Sequence, residues 1–241
     1  MKIISALSSF FNHDGVRNSN FIARYNCTKF AKKFDLLRRY HNQEPIIRAI
    51  NEIYPLEGAR IVEIGAGTGV FSQELVNAGA SVIPLDKSPF MLKVFRENFL
   101  KENLNLKFSN PLLADHRHIP LPSCWADVVL SSFSLDSIIY DNPEDKWQFE
   151  IDNVIREMLR VTKKSGAVII IATPYGKRDF TGHIERVWGF KRKLIKTLWH
   201  FPSKKSAKDA LTLFFGKRVW NDYSPNFPKA VVTIAGIWWQ N

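Results

Sequence analysis

Ile61-Val62-Glu63-Ile64-Gly65-Ala66-Gly67-Thr68-Gly69-Val70-Phe71-Ser72 is the stretch on which the reading of this 241-residue chain turns. Its first four residues have the apolar, β-branched character of a buried strand. Three glycines in five residues then admit positive φ and let a ligand lie against the main chain without meeting a Cβ. A helix is predicted to open near Val70–Ser72, which points amide groups at whatever binds the turn. Open α/β sheets hold nucleotide-like ligands at such strand ends. Glu63, two residues before the first glycine, adds a carboxylate to the same place.

Working outward, strands alternate with helices. Ser81–Leu85 reads as a strand ending at Asp86, and a helix follows from Ser88-Pro89 to about Asn103, with Ser88 as N-cap and Pro89 at the first helical position. A third strand falls at Leu106–Ser109 or Leu112–Leu113 and ends near Asp115. Ala126–Phe133 is a fourth, strongly apolar strand. A helix over 145–162 leads through a turn at Lys163–Gly166 into Ala167–Ala172. Such alternation predicts a parallel sheet covered on both faces. Upstream, Phe30, Phe34 and Leu37 mark an amphipathic helix within Phe21–Tyr40, with Lys29, Lys32, Lys33, Arg38 and Arg39 read as its solvated face. Pro45 introduces a helix over Ile46–Ile53. Beyond residue 180 the rhythm breaks. Lys191–Phe201 reads as a short helix, and Phe214–Trp220 and Ala230–Trp238 as two strands joined by a polar loop.

Charge divides the chain. Residues 1–44 carry 8 Lys/Arg against 3 acids, 45–176 carry 13 against 16, and 177–208 carry 10 against 2. An anionic partner would therefore be met by the flanks and not by the glycine-rich core. The expected organisation is a basic N-terminal arm and helix (1–44), then one catalytic domain (45–241) with 177–210 as a basic insertion or lid. Cys27 and Cys124 match no metal-ligand spacing, and no metal is expected. Apolar runs such as Val168–Ala172 are too short to cross a bilayer. With no secretory signal pattern, the expected location is cytoplasmic; a mitochondrial presequence is the alternative.

The glycine pattern is G-x-G-x-G. The dinucleotide fingerprint wants Gly or Ala where Val70 stands, which disfavours a nicotinamide oxidoreductase. Asp86, 21 residues after Gly65, suits the two hydroxyls of a ribose. Asp115 can accept from an adenine amino group, and Ser131-Ser132-Phe133 forms the floor of the same crevice. The glycine loop holds no Lys or Arg, so nothing in it calls for a phosphate.

At these residues the chain resembles the class I S-adenosylmethionine-dependent methyltransferases, over roughly residues 45–175. Glu63-x-Gly65-x-Gly67-x-Gly69 is similar to the family's first motif, and Leu85–Leu92 to its second-strand motif. Ala114-Asp115 with His118–Pro122 is similar to its adenine-binding stretch. Asp127–Ser134 resembles the fourth strand, and Glu157–Gly166 the helix and turn before the fifth. The resemblance implies a Rossmann-like, doubly wound α/β fold: a mostly parallel seven-stranded sheet with an antiparallel strand near the C-terminus. It implies S-adenosyl-L-methionine as cofactor, with Glu63 ordering the loop and facing the methionine end. Gly65, Ala66, Gly67, Thr68 and Gly69 would allow close approach, Asp86 would bind ribose, and Lys87 would flank adenine. Ala114, Asp115, Ser131 and Ser132 complete the implied site.

The local style is that of the branch acting on small molecules, quinones and related lipids, so the expected acceptor is small or lipid-like. Ser131-Ser-Phe-Ser replaces the Asn/Asp-Pro-Pro-Tyr/Phe that holds planar amino groups, which disfavours exocyclic-amine methylation. An acceptor that stays protonated at neutral pH needs a base; Asp136, His183 and Glu185 are candidates, and none is singled out by spacing. Tyr25 and Tyr175 could line the pocket mouth. Segment 177–208, with Trp188, Phe190, Trp199 and Phe201 among its cations, fits RNA, an anionic membrane surface or a solvated lid. The alternative functions are an RNA or protein methyltransferase recruited by these flanks, and a non-catalytic cofactor-binding module.

Overall fold

The computed structural model describes residues 25–101, 110–142, 146–174, 179–215, 217, 220–221 and 230–241. In chain order the elements are α1 (Thr28–Arg39), β1 (His41–Asn42), α2 (Glu44–Ile53), β2 (Arg60–Ile64), α3 (Val70–Asn77), β3 (Ser81–Asp86), α4 (Pro89–Lys101) and β4 (Leu112–Leu113). They continue with β5 (Ala126–Ser132), α5 (Asp136–Asp141), α6 (Trp147–Val161), β6 (Thr162–Ala172), α7 (Phe180–Trp188), β7 (Lys191–His200), α8 (Lys204–Phe215) and β8 (Ala230–Gln240).

The strands form one sheet in the order β1-β7-β8-β6-β5-β2-β3-β4. Strands β4, β3, β2, β5 and β6 pair in parallel, and β8 is antiparallel to both β6 and β7. Because β8 reverses the sense twice, β7 runs with the parallel strands. The carboxyl ends of β2, β3, β4, β5, β6 and β7 therefore share one edge. The expected antiparallel strand is β8. The sheet has eight strands, not seven, because the two-residue β1 adds to the outside of β7 through His41↔Trp199 and Asn42↔Leu198.

Alternation along the central strands explains the two-sided cover. Val62, Ile64, Val129, Val168 and Ile170 face one core, with Ile151, Val154, Ile155 and Met158 of α6 and the fully buried Trp238. Their neighbours Ile61, Val128, Leu130, Ile169 and Ile171 face a second core, with Ile46 and Ile50 of α2 and Phe71 and Leu75 of α3. Each strand residue is thus removed from water whichever way it points, the main source of stabilisation for such a sheet. Ser88 caps α4 as expected, its Oγ accepting from Met91 N at 3.2 Å.

Two expectations beyond residue 180 fail. Lys191–Phe201 is not a helix: Lys191–His200 is β7, paired with β8 along its whole length. Leu194/Leu198 and Ile195/Trp199 satisfy a helical spacing, but Ile195, Thr197 and Trp199 equally satisfy a period of two. The cross-strand partner decides between them. Thr197 and Thr233 hydroxyls meet at 2.7 Å across the pair, and Trp199 Nε1 donates to the same Thr233 Oγ1 at 3.2 Å. Phe214–Trp220, read as a strand, is helical wherever it is described. The alternative third strand at 106–109 and the loop at 222–229 lie outside the described residues.

Gly236 in β8 leaves room for the buried Trp238 ring; a Cβ there would stand 2.1 Å from Trp238 Cη2. Trp238 has little freedom to yield, because its Nε1 donates to Glu185 Oε1 at 2.7 Å. Gly236→Ala is expected to lower stability by about 1–3 kcal/mol, read from a denaturant midpoint. An unchanged midpoint would mean that the ring can shift at no cost.

Candidate functional site

The glycine turn is built as its sequence predicts. Gly65, Gly67 and Gly69 have φ of 70°, 59° and 85°, and Gly69 stands directly before α3. Gly65 is packed against the loop after β5: a Cβ on it would lie 2.3 Å from Ser134 Cβ. Ser134 Oγ meets Ser131 Oγ at 2.7 Å and donates to Ile64 O at 3.1 Å. The ends of β2 and β5 are thereby clasped together. Ala66 N donates to Leu85 O at 2.9 Å, which joins the turn to β3 as well.

Asp86 faces this turn. Its Oδ2 accepts from Gly67 N at 2.8 Å and its Oδ1 from Ser88 N at 2.7 Å. Burial nonetheless raises its pKa, against the pull of those two amides. Lys87 beside it is exposed. Ala114 N donates to Asp86 O at 3.1 Å, bringing the Ala114-Asp115 turn to the next strand end. Asp115 is held by Arg117: Oδ1 accepts from its backbone N and Nε, each at 2.9 Å, and Oδ2 from Nη2 at 2.6 Å. This fork depresses the Asp115 pKa. Arg117 also reaches Glu150 at 3.0 Å. Burial pushes the His116 imidazole down to about 4.

Glu63 is fully enclosed. Ser72 Oγ donates to its Oε2, while Oε1 is buried with no hydrogen-bond partner. Loss of solvent pushes the carboxyl up to about 8, opposed by the Ser72 bond and by Arg38 and reinforced by Asp86. The hydroxyls of Thr68 and Ser132 are also buried without partners. Ser131 is fully buried in the floor between the glycine turn and β6. The structure thus gathers Glu63, Gly65, Ala66, Gly67, Thr68, Gly69, Asp86, Ala114, Asp115, Ser131 and Ser132 along adjacent strand ends.

The candidate bases are placed differently. His183 Nε2 lies 2.8 Å from Asp152 Oδ1, which also accepts from Trp188 Nε1. Glu185 holds Trp238 and Arg192, at 2.7 and 3.3 Å. Both residues are taken up by packing of α7. The Asp136 side chain and Tyr175 lie outside the described residues, and Tyr25 packs edge-on against Phe30 and Phe34.

Three residues of the site were not read from the sequence. Phe34 covers the turn, its ring 3.5 Å from where a Gly67 Cβ would be. Arg38, assigned to the solvated face of α1, is half-buried and lies over the Phe133 ring at 4.9 Å. Its position four residues after Phe34, on the same face, was the available signal. His41 is buried between Trp199, stacked at 4.6 Å, and Phe133, edge-on at 6.0 Å, with Nδ1 unpartnered. Nothing in its local sequence marks it, because the β1–β7 pairing creates its surroundings.

The sequence profile of the methyltransferase-domain family matches residues 62–170. The demethylmenaquinone methyltransferase of Thermobifida fusca is 29% identical over 148 residues, covering 58% of this chain and 56% of that protein. The malonyl-(acyl-carrier protein) O-methyltransferase of Yersinia pestis is 28% identical over 125 residues, covering 52% and 40%. The chain spans about half the length of these curated relatives. Among solved structures, a candidate S-adenosyl-L-methionine-dependent methyltransferase from Methanococcus maripaludis shares the fold at 22% identity, with a TM-score of 0.51 over 66% of this chain and 71% of that one. Strand order, glycine turn and family profile agree: residues 62–170 match the methyltransferase-domain family and have the fold of its solved neighbour.

Proposed function

We propose that this chain transfers the methyl group of S-adenosyl-L-methionine to a small or lipid-like acceptor. The observation that carries the reading is the unpartnered, buried Glu63 Oε1 beside a glycine turn without cations. A cationic ligand draws this carboxyl, which burial keeps protonated up to about pH 8, into its anionic form, whereas a phosphate would gain nothing from it. Asp86 gives one lone pair per oxygen to backbone amides and keeps others for ribose hydroxyls. Asp115, kept ionised by Arg117, is the acceptor for an adenine amino group, with Lys87 and Ala114 at the rim. Ser131 and Ser132 form the floor.

When bound, the cofactor supplies an electrophilic methyl group on a sulfonium. The protein's share is alignment and exclusion of water, which for a well-held pair of reactants is worth effective molarities of ~10⁵ M or more. Phe34 over the glycine turn serves that exclusion. In this reading residues 45–241 work as the catalytic unit, with helix α1 packed against its glycine turn.

The two relatives are named for demethylmenaquinone and malonyl-(acyl-carrier protein), which supports an acceptor that is lipid-like or carried on a larger partner. Among the described residues no helix is long and apolar enough to cross a membrane. The amphipathic helix expected at Lys191–Phe201 is a sheet strand, so attraction to a membrane or RNA would rest on the charge of the basic flanks. Retention on heparin and on anionic vesicles, compared across salt, separates those two partners.

The direct test is calorimetric titration with S-adenosyl-L-homocysteine, followed by a methyl-labelled screen of metabolite, lipid, RNA and protein fractions. No binding of the nucleoside would remove the reading. Asp86→Ala is expected to weaken that binding about 10- to 150-fold, the worth of ~1.5–3 kcal/mol for hydrogen bonds to a charged group. Unchanged affinity would remove Asp86 from the ribose site.

A further inference from the structure

Two buried polar side chains at the junction of β1 and α2 are left without partners. His41 and Gln43 are 6% and 4% exposed, and His41 Nδ1 and both amide atoms of Gln43 make no hydrogen bond among the described residues. Gln43 stands at the start of α2 without capping it; Asn42 Oδ1 instead accepts from Glu44 N at 3.1 Å. Burial alternates along His41, Asn42 and Gln43, as strand geometry requires when the first and third share a face. Leaving such atoms unmatched destabilises the free protein, and a ligand that matches them recovers the loss.

A single aromatic residue links this pair to the glycine turn. Ser134 fills the space beside Gly65, and its neighbour Phe133 has a left-handed φ of 52°, strained backbone for an aromatic residue. The Phe133 ring meets His41 edge-on at 6.0 Å, and Trp199 stacks on His41 at 4.6 Å. The strand is pinned there, with His200 N donating to Tyr40 O at 2.7 Å. Arg38 lies over the same Phe133 ring; burial lowers its pKa to about 10, which leaves it cationic. Burial and that charge keep the His41 imidazole neutral.

Resting on the methyl-donor reading above, we propose that His41 and Gln43 bind the acceptor, and that it presents a hydroxyl on a planar apolar ring. A hydroxyl both donates and accepts, so it matches the imidazole nitrogen in either tautomer and the amide through either atom. A carboxylate only accepts, and would leave Gln43 Oε1 unmatched. An ammonium only donates, would leave Gln43 Nε2 unmatched, and would be repelled by Arg38. Phe133 and Trp199 supply apolar walls for the ring. His41 and Gln43 then select the class of acceptor, and neither lies within the residues that match the family profile.

Fluorine NMR tests this with 4-fluorophenol, 4-fluoroanisole, 4-fluorobenzoate and 4-fluorobenzylammonium, each titrated into the S-adenosyl-L-homocysteine complex. The unaltered protein should bind the phenol about 3- to 10-fold tighter than each of the others, the worth of one neutral hydrogen bond. His41→Phe and Gln43→Met remove the polar atoms at similar volume. Each should weaken the phenol about 3- to 10-fold, leave the anisole within about twofold, and leave the unliganded protein no less stable. Loss of stability with the phenol preference intact would show that the two side chains serve packing, and would overturn the proposal. Equal binding of phenol and anisole, or no binding of the phenol, would do the same. Retained affinity of both variants for S-adenosyl-L-homocysteine shows that they are folded with the donor site intact. Failure of that nucleoside to bind the unaltered protein would instead remove the methyl-donor reading, and titration of the free protein would still decide whether His41 and Gln43 form a hydroxyl site.

Discussion

The Gly65→Ala variant is expected to lose about 2–5 kcal/mol of folding stability and, with it, the geometry of the glycine turn. Two separable costs act at this position. A φ of 70° is left-handed backbone, which costs a residue with a Cβ roughly 1–2 kcal/mol. The new Cβ would also stand 2.3 Å from Ser134 Cβ and 2.5 Å from its Oγ, and overpacking of that kind costs about 1–3 kcal/mol. Ser134 cannot rotate away freely, because its hydroxyl joins Ser131 to Ile64 O. A double-mutant cycle separates the terms. Ser134→Gly on the Gly65→Ala background should recover the collision and leave the backbone cost. If the double variant is no more stable than the single one, the clasp between β2 and β5 is not the source of the loss.

Glu63→Gln is expected to act in opposite directions on stability and on binding. In the unfolded chain the carboxyl ionises near its ordinary value of 4.5, and in the folded protein near 8. Between those values the folded state holds the extra proton, so stability falls as pH rises from about 5 to 8 and then levels. The groups that face Glu63 are Arg38 of α1 and the Ser72 hydroxyl of α3, which favour the anion, and Asp86 of β3, which opposes it. Burial outweighs their sum. Glutamine keeps the shape and has nothing to ionise. The variant should therefore match the unaltered protein near pH 5 and exceed it at pH 8.5 by on the order of 2–4 kcal/mol. Its affinity for S-adenosyl-L-homocysteine should fall at least tenfold, since a neutral amide gives the ammonium no counter-charge. Parallel pH–stability curves for the two proteins would show that Glu63 is already ionised in the free protein, and would remove this account.

Glu63 is kept in a costly form where its own folding would prefer an amide, as expected of a group held for a ligand. Arg38 has the complementary cost. Neither cost could be read from the residue alone. Glu63 was singled out by its distance from the glycines, whereas Arg38, in a run of cations, was assigned to solvent. The arginine turns inward because α1 is held against α4 and the glycine turn. That is a fact about packing partners more than 20 residues away.

The same division runs through the chain. Strand β2, the glycine turn, β3 with Asp86, helix α4 with its Ser88 cap, and the β5–α6–β6 run were legible because each is specified locally. A period of two or 3.6, positive-φ glycines, a cap and a proline at a helix start all act within a few residues. Residues 191–200 were misread because ten residues satisfy both periods, and only the ladder with β8 chooses the strand. His183 lies against Asp152 and Glu185 against Trp238, neighbours that chain order does not place beside them. The sequence by itself determined the parallel half of the sheet and its glycine turn, since these glycines and carboxylates are set at strand ends by local rules. The tertiary structure alone decided the strand at 191–200, the burial of His41 and the inward turn of Arg38, because each depends on a partner that chain order does not place beside it.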